Sequence, residues 1–229
     1  MKPTELLGET RAPDGTLIAL TRQDREFIIL AGGKPLMSSR MHGSEQALAT
    51  FGCRYVPAEV ARILVGGLGM GFTLRATLDI LPPSASVVIA ELIPAVIEWN
   101  HGPLGPLADH PLRDPRLRIA LGDVAATIRA ATGAFDAILL DVDNGPDAFT
   151  ATGNASLYND PGLASAFAAL RPGGTLAVWS AWEDRKFEQR LKYAGFNVHV
   201  ERVRARLESG GPRHTIFLGR KPASQTDQK

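Results

Sequence analysis

The chain has one cysteine, Cys53, in 229 residues, so no internal disulfide can staple it and the fold must rest on its core. A lone apolar cysteine of this kind is expected to be buried. Charge of a dominant sign is also missing. Twenty-five Lys and Arg against 24 Asp and Glu leave a net charge of +1, too weak a field to gather nucleic acid or an anionic membrane. No apolar run approaches the roughly 20 residues of a membrane-crossing helix. Met1-Lys-Pro-Thr-Glu-Leu-Leu-Gly8 lacks the apolar core of a signal peptide. His42, His101, His110, His199 and His214 are scattered, without a metal-ligand spacing such as H-E-x-x-H. These absences predict a cytoplasmic protein with no metal and with neither nucleic acid nor membrane among its partners.

What is present is ordinary globular composition, 45% hydrophobic and 21% charged, enough for one sizeable domain plus a small appendage. In the first 41 residues or so, Thr16–Leu20 and Glu26–Leu30 read as strands edged by the turn pairs Asp14-Gly15 and Gly32-Gly33. A small antiparallel β region with a connecting helix at Ser44–Phe51 is therefore expected over 1–52. The main domain follows over 53–220 and a polar tail over 221–229. Pro57 reads as the start of a further short helix before the main sheet.

From Arg62 the texture alternates. Ile63–Val65, Val87–Ala90, Leu117–Ala120, Ala137–Leu140 and Thr175–Trp179 are apolar strand-like runs with helical stretches after the first four. That rhythm predicts a mostly parallel sheet with helices on both faces. Asp160-Pro161 reads as a cap and first turn, and Arg171-Pro-Gly-Gly174 as the stop of that helix. Asn197–Val203 and His214–Leu218 read as a C-terminal antiparallel hairpin. The Arg202, Arg204, Arg206 alternation is a solvated strand face. Exposed strands near the N-terminus suit a homodimer.

The densest chemistry lies in Arg62-Ile-Leu-Val-Gly-Gly-Leu-Gly-Met-Gly-Phe72. A buried strand breaks into glycines and passes into a helix, and a second strand ends at Glu91. That is about where nucleotide-binding α/β folds place the carboxylate for ribose hydroxyls. The dinucleotide pattern G-x-G-x-x-G fails, because the last position from Gly67 is Phe72. No Gly-Lys-Ser/Thr follows, which excludes a P-loop. What fits is G-x-G-x-G at Gly67, Gly69 and Gly71, the spacing of S-adenosylmethionine (AdoMet) folds. Strand ends of an open α/β sheet face the ligand, and Asp123, Asp141 and Asp143 occupy two more of them. Asp123 suits the adenine amino group, a helix N-cap, or both. Asp141 follows the apolar Ile138-Leu-Leu140 and would emerge where burial raises a carboxylate's basicity. Asp-Asn-Gly-Pro146 is also turn chemistry. Asp147–Asn159, with Phe149, Asn154 and Tyr158, has the length of a lid, and Tyr158 is its candidate substrate contact.

These residues resemble the spermidine synthase-like (polyamine aminopropyltransferase) family over nearly the whole chain. The resemblance runs through the N-terminal β region, the glycine turn, Glu91, Gly122-Asp123, Phe135-Asp-Ala-Ile-Leu-Leu-Asp141 with Gly145-Pro146, and Leu170-Arg-Pro-Gly-Gly174. The sheet half is equally similar to class I methyltransferases. The resemblance implies a Rossmann-like, class I methyltransferase-type fold and AdoMet or decarboxylated AdoMet as co-substrate. It implies ribose binding by Glu91, adenine contact by Asp123, and proton acceptance or amine orientation by Asp141 with Asp143. The implied partner is a small-molecule amine. Gly69 stands where the family's turn usually carries an aspartate for the amino end of decarboxylated AdoMet. Ser39-Arg-Met-His-Gly-Ser-Glu45 replaces the family's acceptor signature, with Glu45 retained as an acceptor-binding acid. The loop after Asp141 is about two residues shorter than Asp-x-x-Asp-Pro. Aminopropyl-type transfer to an amine is the leading expectation. Methyl transfer from AdoMet and non-catalytic adenosyl binding remain as alternatives.

Overall fold

The structure, a computed structural model, describes residues 3–142, 155–206 and 211–223. Asp143, Gly145-Pro146, Phe149 and Asn154 lie outside the described residues.

Four antiparallel strands open the chain: β1 Glu5–Arg11, β2 Leu17–Gln23, β3 Glu26–Ala31 and β4 Lys34–Ser38, paired in that order. Sequence alternation found only the middle two. The outer strands mix exposed polar and part-buried residues, a pattern too weak to announce itself. Gly32 and Gly33 both take positive φ, 56° and 78°, the geometry of the tight hairpin between β3 and β4.

Helix α1, Gly43–Gly52, then leads into a seven-stranded sheet. Its strands are β5 Arg62–Gly66, β6 Ser86–Glu91, β7 Leu117–Leu121, β8 Phe135–Leu140, β9 Leu170–Ser180, β10 Asn197–Arg204 and β11 Arg213–Arg220. They lie in the order β10-β11-β9-β8-β5-β6-β7. Only β11 runs against its neighbours. Residues 57–60, expected as a helix, form only bends ahead of β5. The remaining helices are α2 Phe72–Ile80, α3 Pro94–His101, α4 Val124–Arg129, α5 Ala155–Tyr158, α6 Asp160–Ala169 and α7 Arg185–Tyr193. None among the described residues is long and apolar enough to cross a membrane.

The pleat sorts side chains onto two cores. Ile63, Val65, Ile89 and Leu139 face the layer holding α1, α2 and α3, while Leu64, Ile138, Leu140 and Val178 face α4, α6 and α7. Both faces of β5 and β8 are covered, which explains their unbroken apolar runs. Helix α1 packs on this sheet as well: a Cβ on its last residue, Gly52, would collide with Leu139. The N-terminal sheet closes on the main domain through Gly8, where a Cβ would stand 2.7 Å from Trp99 Nε1.

Two boundaries differ from the sequence reading. Asn159, not Asp160, caps α6 by accepting from Gly162 N–H at 2.9 Å, because Pro161 then falls inside the first turn. Arg171-Pro-Gly-Gly174 does not end a helix but opens β9, at a register shift against β8. Gly173 does take positive φ there, 79°. Cys53 is buried, and burial pushes its thiol up to about 12.

Candidate functional site

The chain order reverses between β5 and β8. It runs from β5 outward to β6 and β7, then returns to β8 on the other side. A crevice opens at the carboxyl ends of strands at such a reversal. Here it receives the glycine turn after β5 and Asp141 after β8.

Gly67, Gly69 and Gly71 take φ of 86°, 50° and 84°, left-handed values that side chains rarely tolerate. Gly67 is bound sterically too: a Cβ there would collide with the Asp141 carbonyl oxygen. The turn is pinned from three sides. Gly67 N–H donates to Ala90 O at 2.9 Å, Asn100 Nδ2 donates to Gly69 O at 2.9 Å, and Leu68 N–H donates to Glu91 Oε2 at 2.9 Å. Glu91 also accepts from Ile93 N–H through Oε1 at 2.8 Å. It is 7% exposed, and burial raises its pKa against the pull of those main-chain donors. Each oxygen carries a second acceptor site, so this carboxylate can hold the turn and still take two ligand hydroxyls.

Asp123 lies one strand over. Gly122 N–H donates to Glu91 O at 2.8 Å, which ties the two acidic strand ends together. The Asp123 side chain caps α4 by accepting from Ala125 N–H at 2.8 Å, and remains 44% exposed. The cap role is thus visible, with one oxygen turned to a distant Arg129 at 3.8 Å.

On the other side of the turn, Asp141 N–H donates to Gly66 O at 2.9 Å, and Thr73 Oγ1 donates to Asp141 Oδ2 at 2.6 Å. Glu45, on the first turn of α1, is 6% exposed. Burial, reinforced by the negative charge of Asp141, pushes its pKa up to about 8. Glu45 is therefore a buried carboxyl that feels the charge of the half-buried Asp141 and holds its proton into the neutral range. Ser44 Oγ bridges onward, donating to Glu45 Oε2 at 2.6 Å and meeting His214 Nδ1 at 2.8 Å. Aromatic rings surround the pair. His42 stacks on Phe72 at 4.3 Å, and Trp179 sits edge-on to His214 at 4.6 Å. His42 Nδ1 and Trp179 Nε1 are buried without a hydrogen-bond partner, a cost that a polar ligand would relieve.

Tyr158 has its ring 3% exposed and edge-on to Phe187 at 5.7 Å, in the core on the α7 face that also holds Leu140. As a ring, it is a core element. Conversely, sequence spacing missed Ser44, Thr73, His42 and His214. His214 meets Ser44 only because α1 packs against β11, and His42 reaches the ring of Phe72 from the residue that caps α1. Among the described residues no three His, Cys, Asp or Glu side chains gather as a metal cluster.

A family of S-adenosyl-L-methionine-dependent methyltransferases matches residues 107–210. Putrescine N-methyltransferase 4 of Nicotiana tabacum is 33% identical over 120 residues, 51% of this chain and 29% of that protein. Putrescine N-methyltransferase 1 of Nicotiana attenuata gives the same identity over the same shares. The chain thus spans under a third of the length of these relatives. Among solved structures, spermidine synthase from Thermotoga maritima aligns at a TM-score of 0.76 with 19% identity, covering 96% of this chain and 74% of that one. A spermidine synthase bound to the transition state analogue AdoDATO aligns at 0.75 with 18% identity, over 96% and 73%. The chain therefore has the fold of these spermidine synthases, a mostly parallel seven-stranded sheet with helices on both faces beside a small antiparallel sheet.

Proposed function

We propose that this chain is a transferase that moves an alkyl group from an adenosyl sulfonium to the nitrogen of a small amine. The observation that carries the reading is the placement of two acids at one crevice: the half-buried Asp141 against Gly67 of the glycine turn, and the buried Glu45 within reach of its charge. Like charges held together out of water are costly unless a cation joins them. The ammonium of an amine substrate is the cation we assign to them; among the described residues no three His, Cys, Asp or Glu side chains gather to hold a metal.

The donor half fits an adenosyl group through the open lone pairs of Glu91 and the main-chain cradle at Gly67–Gly71. The co-substrate supplies an alkyl carbon made electrophilic by the sulfonium. The protein's own work is to bring the amine to that carbon and remove its proton. Asp141, held by the Thr73 hydroxyl and anchored by its N–H to β5, is the fixed acid that orients the amine. Glu45 takes up or releases a proton near neutral pH as the amine changes charge. The nitrogen lone pair forms the new N–C bond, the C–S bonding pair returns to sulfur, and the surplus proton goes to the carboxyl pair. Positioning and proton acceptance carry the rate.

For the group transferred, Gly69 favours methyl over aminopropyl. The turn offers no acid for an aminopropyl ammonium, and Met37 of β4 covers the position, its Sδ 3.0 Å from where a Cβ would stand. The likeness to putrescine N-methyltransferases points the same way, while the likeness to spermidine synthases keeps aminopropyl transfer as the second reading. Calorimetry with AdoMet, decarboxylated AdoMet and methylthioadenosine, followed by turnover with putrescine, tests both. Tighter AdoMet binding with methylated product supports the first reading, and preference for the decarboxylated donor supports the second. Binding without turnover on any amine overturns the transferase.

A further inference from the structure

We infer that Ser44 and His214 form a proton relay linking the buried Glu45 carboxyl to solvent at the edge of the acceptor pocket. The inference rests on the amine-transfer reading for its purpose, but its geometry stands apart from it. A carboxyl that receives a proton at each turnover must also lose one. Glu45 is 6% exposed and its neighbour Ser44 is fully buried. The Ser44 hydroxyl has one proton and two acceptor sites, and it lies between Glu45 Oε2 at 2.6 Å and His214 Nδ1 at 2.8 Å.

The hydroxyl can therefore face either way. With Glu45 ionised, Ser44 donates to the carboxylate, and Nδ1 must carry the hydrogen that Ser44 accepts. With Glu45 protonated, the carboxyl donates to Ser44, Ser44 donates to Nδ1, and the imidazole hydrogen sits on Nε2. Moving one proton along the chain turns Glu45–COOH and neutral His214 into the carboxylate and the imidazolium. The serine is left unchanged in composition. The imidazolium then releases its Nε2 proton to water, leaving the Nδ1–H tautomer. Among the described residues Nε2 makes no hydrogen bond, and His214 is only partly buried, which leaves that nitrogen as the way out of the chain. Trp179, edge-on at 4.6 Å, holds the ring plane.

The other charges can be placed by the pleat: on the His214 face of β10 lie Glu201 and His199, paired with each other at 2.9 Å. Asp141 at the end of β8 acts on Glu45 directly. On α1 itself His42 stands next to the pair but stacks on Phe72 of α2. Strand β10 sets Val203 opposite His214, which puts Arg202 and Arg204 on the other face, where Arg202 pairs with Glu183. Strand β9 contributes Trp179 and the neutral Ser180. Burial lowers the pKa of His214, so at neutral pH the ring is a carrier and not a standing charge.

The deciding measurement is the ring-nitrogen NMR of His214 from pH 5 to 10 in the unliganded protein. Wild type should show two steps: its own protonation below the usual histidine range, and a tautomer change near pH 8 as Glu45 ionises. Glu45→Gln should remove the upper step. Ser44→Ala, which cuts the chain but leaves Glu45 in place, should remove it too while circular dichroism stays native. An upper step that is absent from wild type, or that persists in Ser44→Ala, overturns the relay. Turnover of AdoMet or decarboxylated AdoMet with putrescine then separates the two ideas. Ser44→Ala and His214→Gln should each lower kcat about tenfold near pH 7, the lower range of general acid–base effects, with little change in KM and a smaller solvent deuterium effect. An unchanged kcat and isotope effect in both variants counts against the relay. No turnover in wild type overturns the transferase alone, since the tautomer measurement decides the relay without it.

Discussion

Glu91 and Glu45 are both buried glutamates beside the same glycine turn, yet they are held in opposite ways. Glu91 takes a main-chain N–H on each oxygen, from Leu68 and Ile93. Glu45 receives one side-chain hydroxyl and faces a second acid, Asp141. Burial raises both, but main-chain donors pull Glu91 back toward its charged form, whereas Asp141 drives Glu45 further from it. The first carboxylate is part of the scaffold. The second is a device whose charge depends on what else is in the pocket. Under the proposed transfer, a donor of constant chemistry would be met by the fixed acid and an acceptor that changes protonation by the adjustable one.

The sharpest break in this comparison comes where the two halves touch. Gly67→Ala places a methyl group against the Asp141 carbonyl at a φ of 86°, so both the turn and the β8 end must move. Strain plus collision at such a site costs about 3 kcal/mol or more. Urea unfolding should show that loss, and adenosyl binding should fall with it. A native midpoint in Gly67→Ala would mean that the turn and Asp141 are not in contact.

Asp141→Asn keeps the size and the Thr73 contact but removes a charge. Turnover of an amine acceptor should fall about a hundredfold, the usual scale for a lost proton acceptor, with adenosyl affinity nearly intact. The defect should shrink as pH rises and the free amine needs less help. In the same variant Glu45 loses the like charge that raises it, so its titration should move down from about 8. Full activity at neutral pH in Asp141→Asn would shift the role to Asp143.

Next in size is Glu91→Gln, which leaves one carbonyl acceptor and takes the other away from its main-chain donor. Charge-assisted hydrogen bonds contribute about 1.5–3 kcal/mol, so adenosyl affinity should drop by roughly ten- to a hundredfold in calorimetry. Stability should fall too, because Leu68 or Ile93 loses its partner. That second effect is a consequence of structure: a residue at a strand end looks dispensable in sequence. Unchanged affinity would detach Glu91 from the ribose.

The difference between these acids also explains what was legible. Glu91, Asp123, Asp141 and the glycines all sit at strand ends within a repeating β-α rhythm, and that rhythm is local and periodic. The mostly parallel sheet, its covering helices and the placement of these acids at strand ends follow from it. Glu45 belongs to a helix reached through a different sheet, and its partners Asp141 and His214 are far along the chain. No spacing relates Ser44 to His214, which lie 170 residues apart. The burial of the Tyr158 ring against Phe187 was likewise not legible, since its place in the chain suggested only a lid.

Glu45→Gln tests whether the second acid is adjustable. A carboxyl whose folded pKa is raised from 4.5 to about 8 binds its proton more tightly in the folded state. Its stabilising contribution is complete below the unfolded pKa and is lost as pH climbs toward 8. Wild type should therefore lose Tm between about pH 5 and 8 from this group. Glu45→Gln should flatten that slope and melt higher at pH 8 by about 2–4 °C, the shift expected of about 1 kcal/mol in a chain of this size. Glu91→Gln should not share the gain, since it gives up main-chain hydrogen bonds. Equal slopes in wild type and Glu45→Gln would show that Glu45 is an ordinary ionised acid.

The smallest effect sharpens the donor side. Gly69 has a φ of 50°, in the left-handed region where Asp and Asn are the best tolerated non-glycine residues. Among the described residues its only close neighbour for a new Cβ is the flexible end of Met37, at 3.0 and 3.2 Å, which can swing aside. Gly69→Asp is thus a feasible insertion of charge, and Gly69→Asn is its neutral control. If the turn faces the donor's tail, aspartate should attract the ammonium of decarboxylated AdoMet and repel the carboxylate of AdoMet. An interaction near solvent is modest, about 0.2–1 kcal/mol, so the affinity ratio should move only about twofold to fivefold toward the decarboxylated donor. Gly69→Asn should leave the ratio where it was and report only the cost of moving Met37. A ratio that moves equally in both variants would mean that the tail senses shape and not charge. A ratio that moves in neither would place the tail away from Gly69, and the preference for a methyl donor would then have to come from the acceptor half.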